Sequence, residues 1–246
     1  MAFPVLNASL RHADILSVGQ RIALDGAQLR ALRFREINTK EAFTIADRAN
    51  QFFRASLTSA TATEGEALVY EAMPTSPESS ADITLLCAVL SRQRMLGVIQ
   101  KATELGVMRV LPVLSERSVQ PDGLAHEKAH AWPAQALRAA RQCRRASIPE
   151  VRTAVPLASA LEDESFRDAE RRVYLDDRAH DDSATTQVNP TRIAFVVGPE
   201  GGFSDEERCL LELKGATPLR IGGRVLRAET AVLVGLTLLQ HVYGDM

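Results

Sequence analysis

Cysteine is scarce. Cys87, Cys143 and Cys209 are three isolated residues in a chain of 246, too few and too scattered for a disulfide framework or a cysteine metal site. Such usage fits a reducing cytoplasm, and no metal is expected. Met1-Ala2-Phe3-Pro4 lacks the basic start and apolar core of a secretory leader. The apolar run near the C-terminus is too short to cross a bilayer, so no membrane partner is expected. A strong charge of either sign is also missing: the net charge is −2, which by itself argues against a nucleic-acid binder. No internal repeat and no long low-complexity tract occurs. A hydrophobic content of 46% with 24% charged residues is ordinary for a globular protein. The length leaves room for one large domain and one small one.

The balanced total hides an uneven distribution. Acids are absent from Lys128 to Ile148, where Lys128, Arg138, Arg141, Arg144 and Arg145 are all positive. If the stretch is one helix, Arg138, Arg141 and Arg145 fall on one face and could follow a phosphate backbone. A solvated face paired with acids elsewhere is the plainer alternative. Between Glu162 and Asp182, nine acids outnumber four arginines, a net of −5.

Punctuation divides the chain near Met73-Pro74-Thr75-Ser76-Pro77-Glu78-Ser79-Ser80, an exposed connector. Before it, short alternating runs at 21–24, 42–45, 53–57 and 67–70 predict strands of a small barrel or bent sheet, interrupted by a helix over 26–34. Beyond it, strands (83–90, 109–114, 172–175, 192–197, 218–221) alternate with helices (93–105, 125–146, 157–166, 204–213, 229–243). That alternation predicts an α/β fold with a parallel sheet. The expected division is a domain at 1–74 and another at 81–246.

Two junctions carry the functional signal. In Val196-Val197-Gly198-Pro199-Glu200-Gly201-Gly202-Phe203-Ser204, an apolar strand runs into a glycine loop. Ser204 then opens a helix, and Glu207 completes a capping box. In Ile221-Gly222-Gly223-Arg224-Val225-Leu226-Arg227-Ala228-Glu229-Thr230-Ala231, a second strand end meets a second glycine turn. Arg224 and Arg227 share a side if this segment is helical. Glu229 and Thr230 suit the start of the last helix. That helix is apolar on nearly every face, which predicts burial all round, by a sheet and by a second subunit, with a core helix of a monomer as the alternative. Two such turns at the carboxyl edge of one sheet are where open α/β folds place ligands. No Lys-Ser or Lys-Thr follows either turn, as a P-loop requires.

Together with Gln100-Lys101-Ala102-Thr103-Glu104-Leu105-Gly106-Val107 and Leu111-Pro112-Val113-Leu114-Ser115-Glu116-Arg117-Ser118, these segments resemble the ribosomal RNA small subunit methyltransferase E family, of the SPOUT class. The resemblance covers most of residues 83–243 and is loose over the first seventy. It implies an N-terminal PUA-like, RNA-binding β-barrel and a C-terminal α/β domain with a trefoil knot. It also implies S-adenosyl-L-methionine as cofactor, a homodimer, and methylation of uridine N3 in 16S ribosomal RNA, with the assembled 30S particle as partner. By the match, Val197, Gly198, Glu200, Gly201, Gly202, Ile221, Gly222, Val225, Leu226 and Thr230 line the cofactor pocket. Arg227 and Arg224 are candidates for stabilising an anionic uracil or binding phosphate. Glu200 and Glu229 are candidate proton acceptors, although both could instead hold their loops. Arg30, Arg33, Arg138, Arg141, Arg145 and Arg224 are the candidate RNA contacts.

The chain departs from the family pattern at several places. Gln28 stands where a histidine-bearing segment is common, Ser91-Arg92 where Lys-Gly is usual, Arg141 where a Glu is frequent, and Ala228 in place of a threonine. Two alternatives therefore stay open: a methyltransferase of the same fold acting on another RNA or base, and an inactive RNA-binding protein of ribosome assembly.

Overall fold

A computed structural model describes residues 7–178 and 190–246. The start of the chain and the end of the acidic stretch, with Asp181 and Asp182, lie outside them. The described chain divides into two units: Met1–Glu78 with Leu137–Ile148, and Ser79–Ala136 with Pro149–Met246.

The first unit holds β1 (Arg21–Leu24), α1 (Gly26–Phe34), β2 (Ala42–Ala46), β3 (Phe52–Ala60) and β4 (Gly65–Ala72). The strands form an antiparallel sheet in the order β1-β4-β3-β2. Alternation does the work: Ile22 and Leu24, then Ala67 and Val69, are buried while their neighbours face out. Helix α1 starts on a reciprocal cap, with the Asp25 side chain accepting from the Gln28 amide and Gln28 accepting from that of Asp25.

A contiguous boundary after residue 74 is not what the structure shows. Residues 137–148, far off in sequence, complete the first unit. Thr44 donates to the Arg144 carbonyl (2.8 Å), Arg35 to that of Ala146 (2.6 Å), and the Ile148 amide to the Asn7 carbonyl (2.9 Å). Pairings across a hundred residues leave no mark on local periodicity.

The second unit contains β5 (Asp82–Ala88), α2 (Arg92–Glu104), β6 (Arg109–Leu114), α3 (Trp132–Gln142, whose last residues count with the first unit), β7 (Glu150–Val151), β8 (Val155–Pro156), α4 (Leu157–Ala160), α5 (Glu164–Arg167), β9 (Arg171–Leu175), β10 (Arg192–Val197), α6 (Asp205–Leu213), β11 (Thr217–Leu219) and α7 (Ala228–Tyr243). The sheet is parallel in every pairing, in the order β11-β9-β10-β5-β6-β7, with β8 also beside β6. Beyond Arg192 and Asp82 at their starts, central β10 and β5 are buried and mostly apolar because both faces are covered. Helix α2 buries Met95, Val98, Ile99, Ala102 and Thr103, one stripe at helical spacing.

Three sequence expectations need correction. The helix expected over 125–146 is shorter. Two 3-10 turns precede it, Lys128 is left-handed at φ 52°, and Pro133, tolerated only in a first turn, marks its start. It stops at Gln142, before Arg144 turns the chain at φ 63°. The helix expected over 157–166 is two short ones, because the Asp163 side chain accepts from Ser165 and starts α5 afresh. Residues 222–227 are not helical, so the spacing of Arg224 and Arg227 does not put them on one side. Within this chain helix α7 buries the stripe of Val232, Gly235, Leu236 and Leu239 with Ala228 and Gln240, the face turned to the sheet and α2, and its Leu238 and Val242 are exposed. Among the described residues no helix is long and apolar enough to cross a membrane.

Candidate functional site

Strands β11, β9 and β10 are parallel neighbours, so Leu219, Leu175 and Val197 end on one edge of the sheet. The segments that leave this edge enclose a cleft. Val197, Gly198, Glu200, Gly201 and Gly202 line it from β10, and Ile221, Arg224, Val225 and Leu226 from the far side of β11. The two glycine junctions picked from the sequence thus share one site. Gly222 and Thr230 are not in its lining: Gly222 is the left-handed pivot of the second loop (φ 64°), and Thr230 is exposed in the first turn of α7. The β9 edge, with Leu175, Asp176, Asp177 and Arg178, was missed, as were Phe203 and Arg208. The strand of residues 171–175 was legible, but nothing in its exit segment resembles a glycine turn.

The first loop is shaped by close approach. Gly198 rests on the Phe203 ring, and a Cβ there would stand 3.1 Å from a ring carbon. Gly202 has φ 68° and its amide closes a turn on the Pro199 carbonyl (2.9 Å), a conformation costly for residues with a Cβ. The capping box forms: Glu207 donates its amide to Ser204 Oγ (3.3 Å) and accepts the Ser204 amide (3.0 Å). The second Glu207 oxygen accepts the Glu116 amide (2.9 Å), and Arg117 donates to the Gly201 carbonyl (2.9 Å). The segment after β6 therefore braces the loop. On the β9 side, Asp176 is nearly buried and bridged to Arg208 Nε at 2.9 Å, so that carboxylate is held in one position.

Of the candidate catalytic groups, Glu200 lines the cleft, whereas Arg227 and Glu229 are not among its lining residues. Arg227 precedes α7 as an exposed residue whose side chain caps nothing. Glu200 and Glu229 meet a cation absent from the sequence reading. The Arg94 guanidinium, from α2, contacts Glu200, and its Nε lies 3.7 Å from Glu229 Oε1. The other Glu229 oxygen is buried without a hydrogen-bond partner among the described residues.

The proposed arginine track does not survive as drawn. Arg138 and Arg141 share the α3 face, but Arg145 lies beyond the helix end and is buried. Its guanidinium pairs with Glu78 at 2.7 Å, and Glu78 also accepts from the Ala146 and Ser147 amides and the Ser147 hydroxyl. A buried, paired side chain offers nothing to a phosphate. Burial pushes the Glu78 carboxyl up, but Arg145 and these donors outweigh it and hold it below the usual 4.5. Arg141 sits 3.3 Å from Glu41 and 3.7 Å from Glu36, so its charge is already shared. Arg33 donates to the carbonyls of Thr61 (2.5 Å) and Ala62 (3.0 Å) and holds a turn. Arg30, Arg138 and Arg224 are exposed.

This architecture has close counterparts. Residues 77–240 match the model of the RNA methyltransferase domain, which defines the class: an α/β protein of the RNA methyltransferase type. A ribosomal RNA small subunit methyltransferase E of Aquifex aeolicus (strain VF5) is 32% identical over 163 residues, 65% of this chain and 69% of that protein. The fold is similar to that of a ribosomal RNA small subunit methyltransferase E from Neisseria gonorrhoeae bound to S-adenosyl methionine (TM-score 0.69, 28% identity, 97% and 99% coverage). It is also similar to a putative methyltransferase from Legionella pneumophila in complex with SAM (TM-score 0.68, 29% identity, 96% and 98% coverage). The chain belongs to the ribosomal RNA small subunit methyltransferase E family.

Proposed function

We propose that this chain uses S-adenosyl-L-methionine to methylate N3 of a uridine in 16S RNA of the small ribosomal subunit. The observation that carries the reading is the convergence of both glycine loops and the β9 edge on one cleft at the carboxyl ends of adjacent parallel strands, in a chain similar to two proteins solved with that cofactor.

The cleft suits the cofactor. Leu219, Val225 and Leu226 offer apolar surface for a base. Asp176, Asp177 and Glu200 place carboxylates on the cleft wall beside Arg178, Arg208 and Arg224, so an ammonium or a sulfonium would be received by local placement and not by net charge. At Gly202, in the cleft lining, a Cβ would meet nothing nearer than an Arg208 nitrogen at 3.7 Å, so the backbone there is open to a ligand. S-adenosylmethionine, when bound, supplies an electrophilic methyl on sulfur. The two loops would hold the cofactor, and positioning of its methyl against uridine N3 would supply most of the rate. Bound there, the cofactor would give its methyl to N3 and leave as the thioether, and the N3 proton would pass to a base. Arg227 and Arg224 stabilise the anionic uracil or bind a flanking phosphate. Glu200 and Glu229 remain the candidate proton acceptors.

The same reading includes a PUA-like, RNA-binding N-terminal unit, a trefoil knot in the second unit, a homodimer and action on the assembled 30S particle in the cytoplasm. Exposed Leu238 and Val242 on α7 offer apolar surface to a second copy. The test is incubation with labelled cofactor and unmodified small subunits, followed by reverse transcription. Methyl on N3 blocks the pairing edge and stops the polymerase at one uridine. Label without that stop means another base, and no label with RNA affinity retained means a binding protein.

A further inference from the structure

Arg94 stands in the first turn of α2, on neither glycine loop and outside the cleft lining. Helix physics does not favour it there, since the N-terminal end of a helix disfavours cations. Two carboxylates account for its position. Glu200, from the loop after β10, contacts its guanidinium, and Glu229, in the first turn of α7, lies 3.7 Å from its Nε. Glu200 lines the cleft on one wall. Ala228 and Ala231, on either side of Glu229, line the other. One side chain therefore links the two walls from behind. Without it, two like charges would face each other, and Glu229, with one oxygen buried and unpartnered, would have no cation.

We propose that Arg94 is a positioning residue that ties the two loops together through Glu200 and Glu229 and so sets the width of the cofactor cleft. This rests on the cleft being the S-adenosylmethionine site. A tie differs from an electrostatic steering group in a measurable way. Loss of a tie loosens both walls and weakens S-adenosylmethionine and its neutral thioether product S-adenosylhomocysteine by the same factor. Loss of a nearby positive charge would instead favour the cationic sulfonium over the thioether. Lysine keeps the charge but not the planar fork that spans two carboxylates, so Arg94→Lys should recover only part of the function.

The experiment compares wild type, Arg94→Met, Arg94→Lys, Glu229→Gln and the Arg94→Met/Glu229→Gln pair. It reads thermal melting, amide hydrogen exchange of the free protein, and calorimetric affinity for both nucleosides. In Arg94→Met, exchange should rise in both segments 199–203 and 227–231. Both affinities should fall together by about fivefold, as expected of two half-exposed ion pairs. The double variant should lose less than the sum of the singles. Unchanged exchange in either segment, a changed ratio of the two affinities, or additive losses would each overturn the proposal. Arg94→Lys guards against a folding artefact: full recovery would reduce the role to charge and reject the tie. A wild type that binds neither nucleoside would reject the cofactor reading, while the exchange comparison would still decide on the tie.

Discussion

Arg145→Met is the substitution for which the structure and the sequence pattern disagree most. As a phosphate contact, Arg145 would be lost with no effect on folding. In the structure its side chain is 3% exposed and bonded to Glu78 through NH2 (2.7 Å) and Nε (3.2 Å). Removing one member of a buried pair typically costs about 3–5 kcal/mol, because a charge is left without compensation. Here the low end applies, since Glu78 keeps three donors at 2.6–2.9 Å. About 3 kcal/mol in a chain of this size lowers Tm by about 6–12 °C. The pH dependence follows from the sign of the shift. The Glu78 carboxyl is depressed below 4.5 in the folded state, so its contribution is complete above that value and disappears as pH falls through the lower folded one. The Tm gap between wild type and Arg145→Met should therefore narrow below about pH 4.5. Melting curves from pH 7 to pH 3, followed by circular dichroism, give the result. A drop smaller than about 2 °C, or a gap that ignores pH, would refute this assignment and return Arg145 to the RNA surface.

Two substitutions probe the cleft. Gly202→Val forces a branched side chain into φ 68°, a strain of about 1–2 kcal/mol, and fills space beside Arg208 that is otherwise open. Calorimetry should show cofactor binding abolished in a protein that still melts cooperatively; unaltered affinity would take this loop out of the site. Gly235→Ala sets about 1 kcal/mol of helix propensity against overpacking, because the new Cβ would stand 2.2 Å from Phe195 Cζ. Overpacking costs about 1–3 kcal/mol, so Tm should fall, and cofactor affinity with it, since Phe195 lies in the strand that carries the first loop. A more stable protein would contradict that balance.

Local chemistry was legible in the sequence where local forces decide. The Ser204–Glu207 capping box, helix α1 and the limits of β6 and β10 rest on caps and short periodicity, and the sequence places them correctly. The convergence of the two glycine junctions was legible because parallel strands of one sheet end on one edge, although β9 lies between β10 and β11. Residues set by distant partners were not. Arg145 reads as one more charge in a basic run until Glu78, sixty-seven positions away, is seen beside it. Arg94 carries no motif, and only the fold brings it between Glu200 and Glu229. Asp176 and Arg208 escaped for the same reason: their pairing spans thirty-two residues and no repeat or glycine turn announces it.

The most direct test of the central claim is transfer of labelled methyl from S-adenosylmethionine to small ribosomal subunits lacking the modification, mapped by reverse transcription. The account predicts label at one uridine with a polymerase stop there, and loss of both in Gly202→Val. Label in Gly202→Val equal to wild type would contradict it, as would cofactor found bound away from the three strand ends.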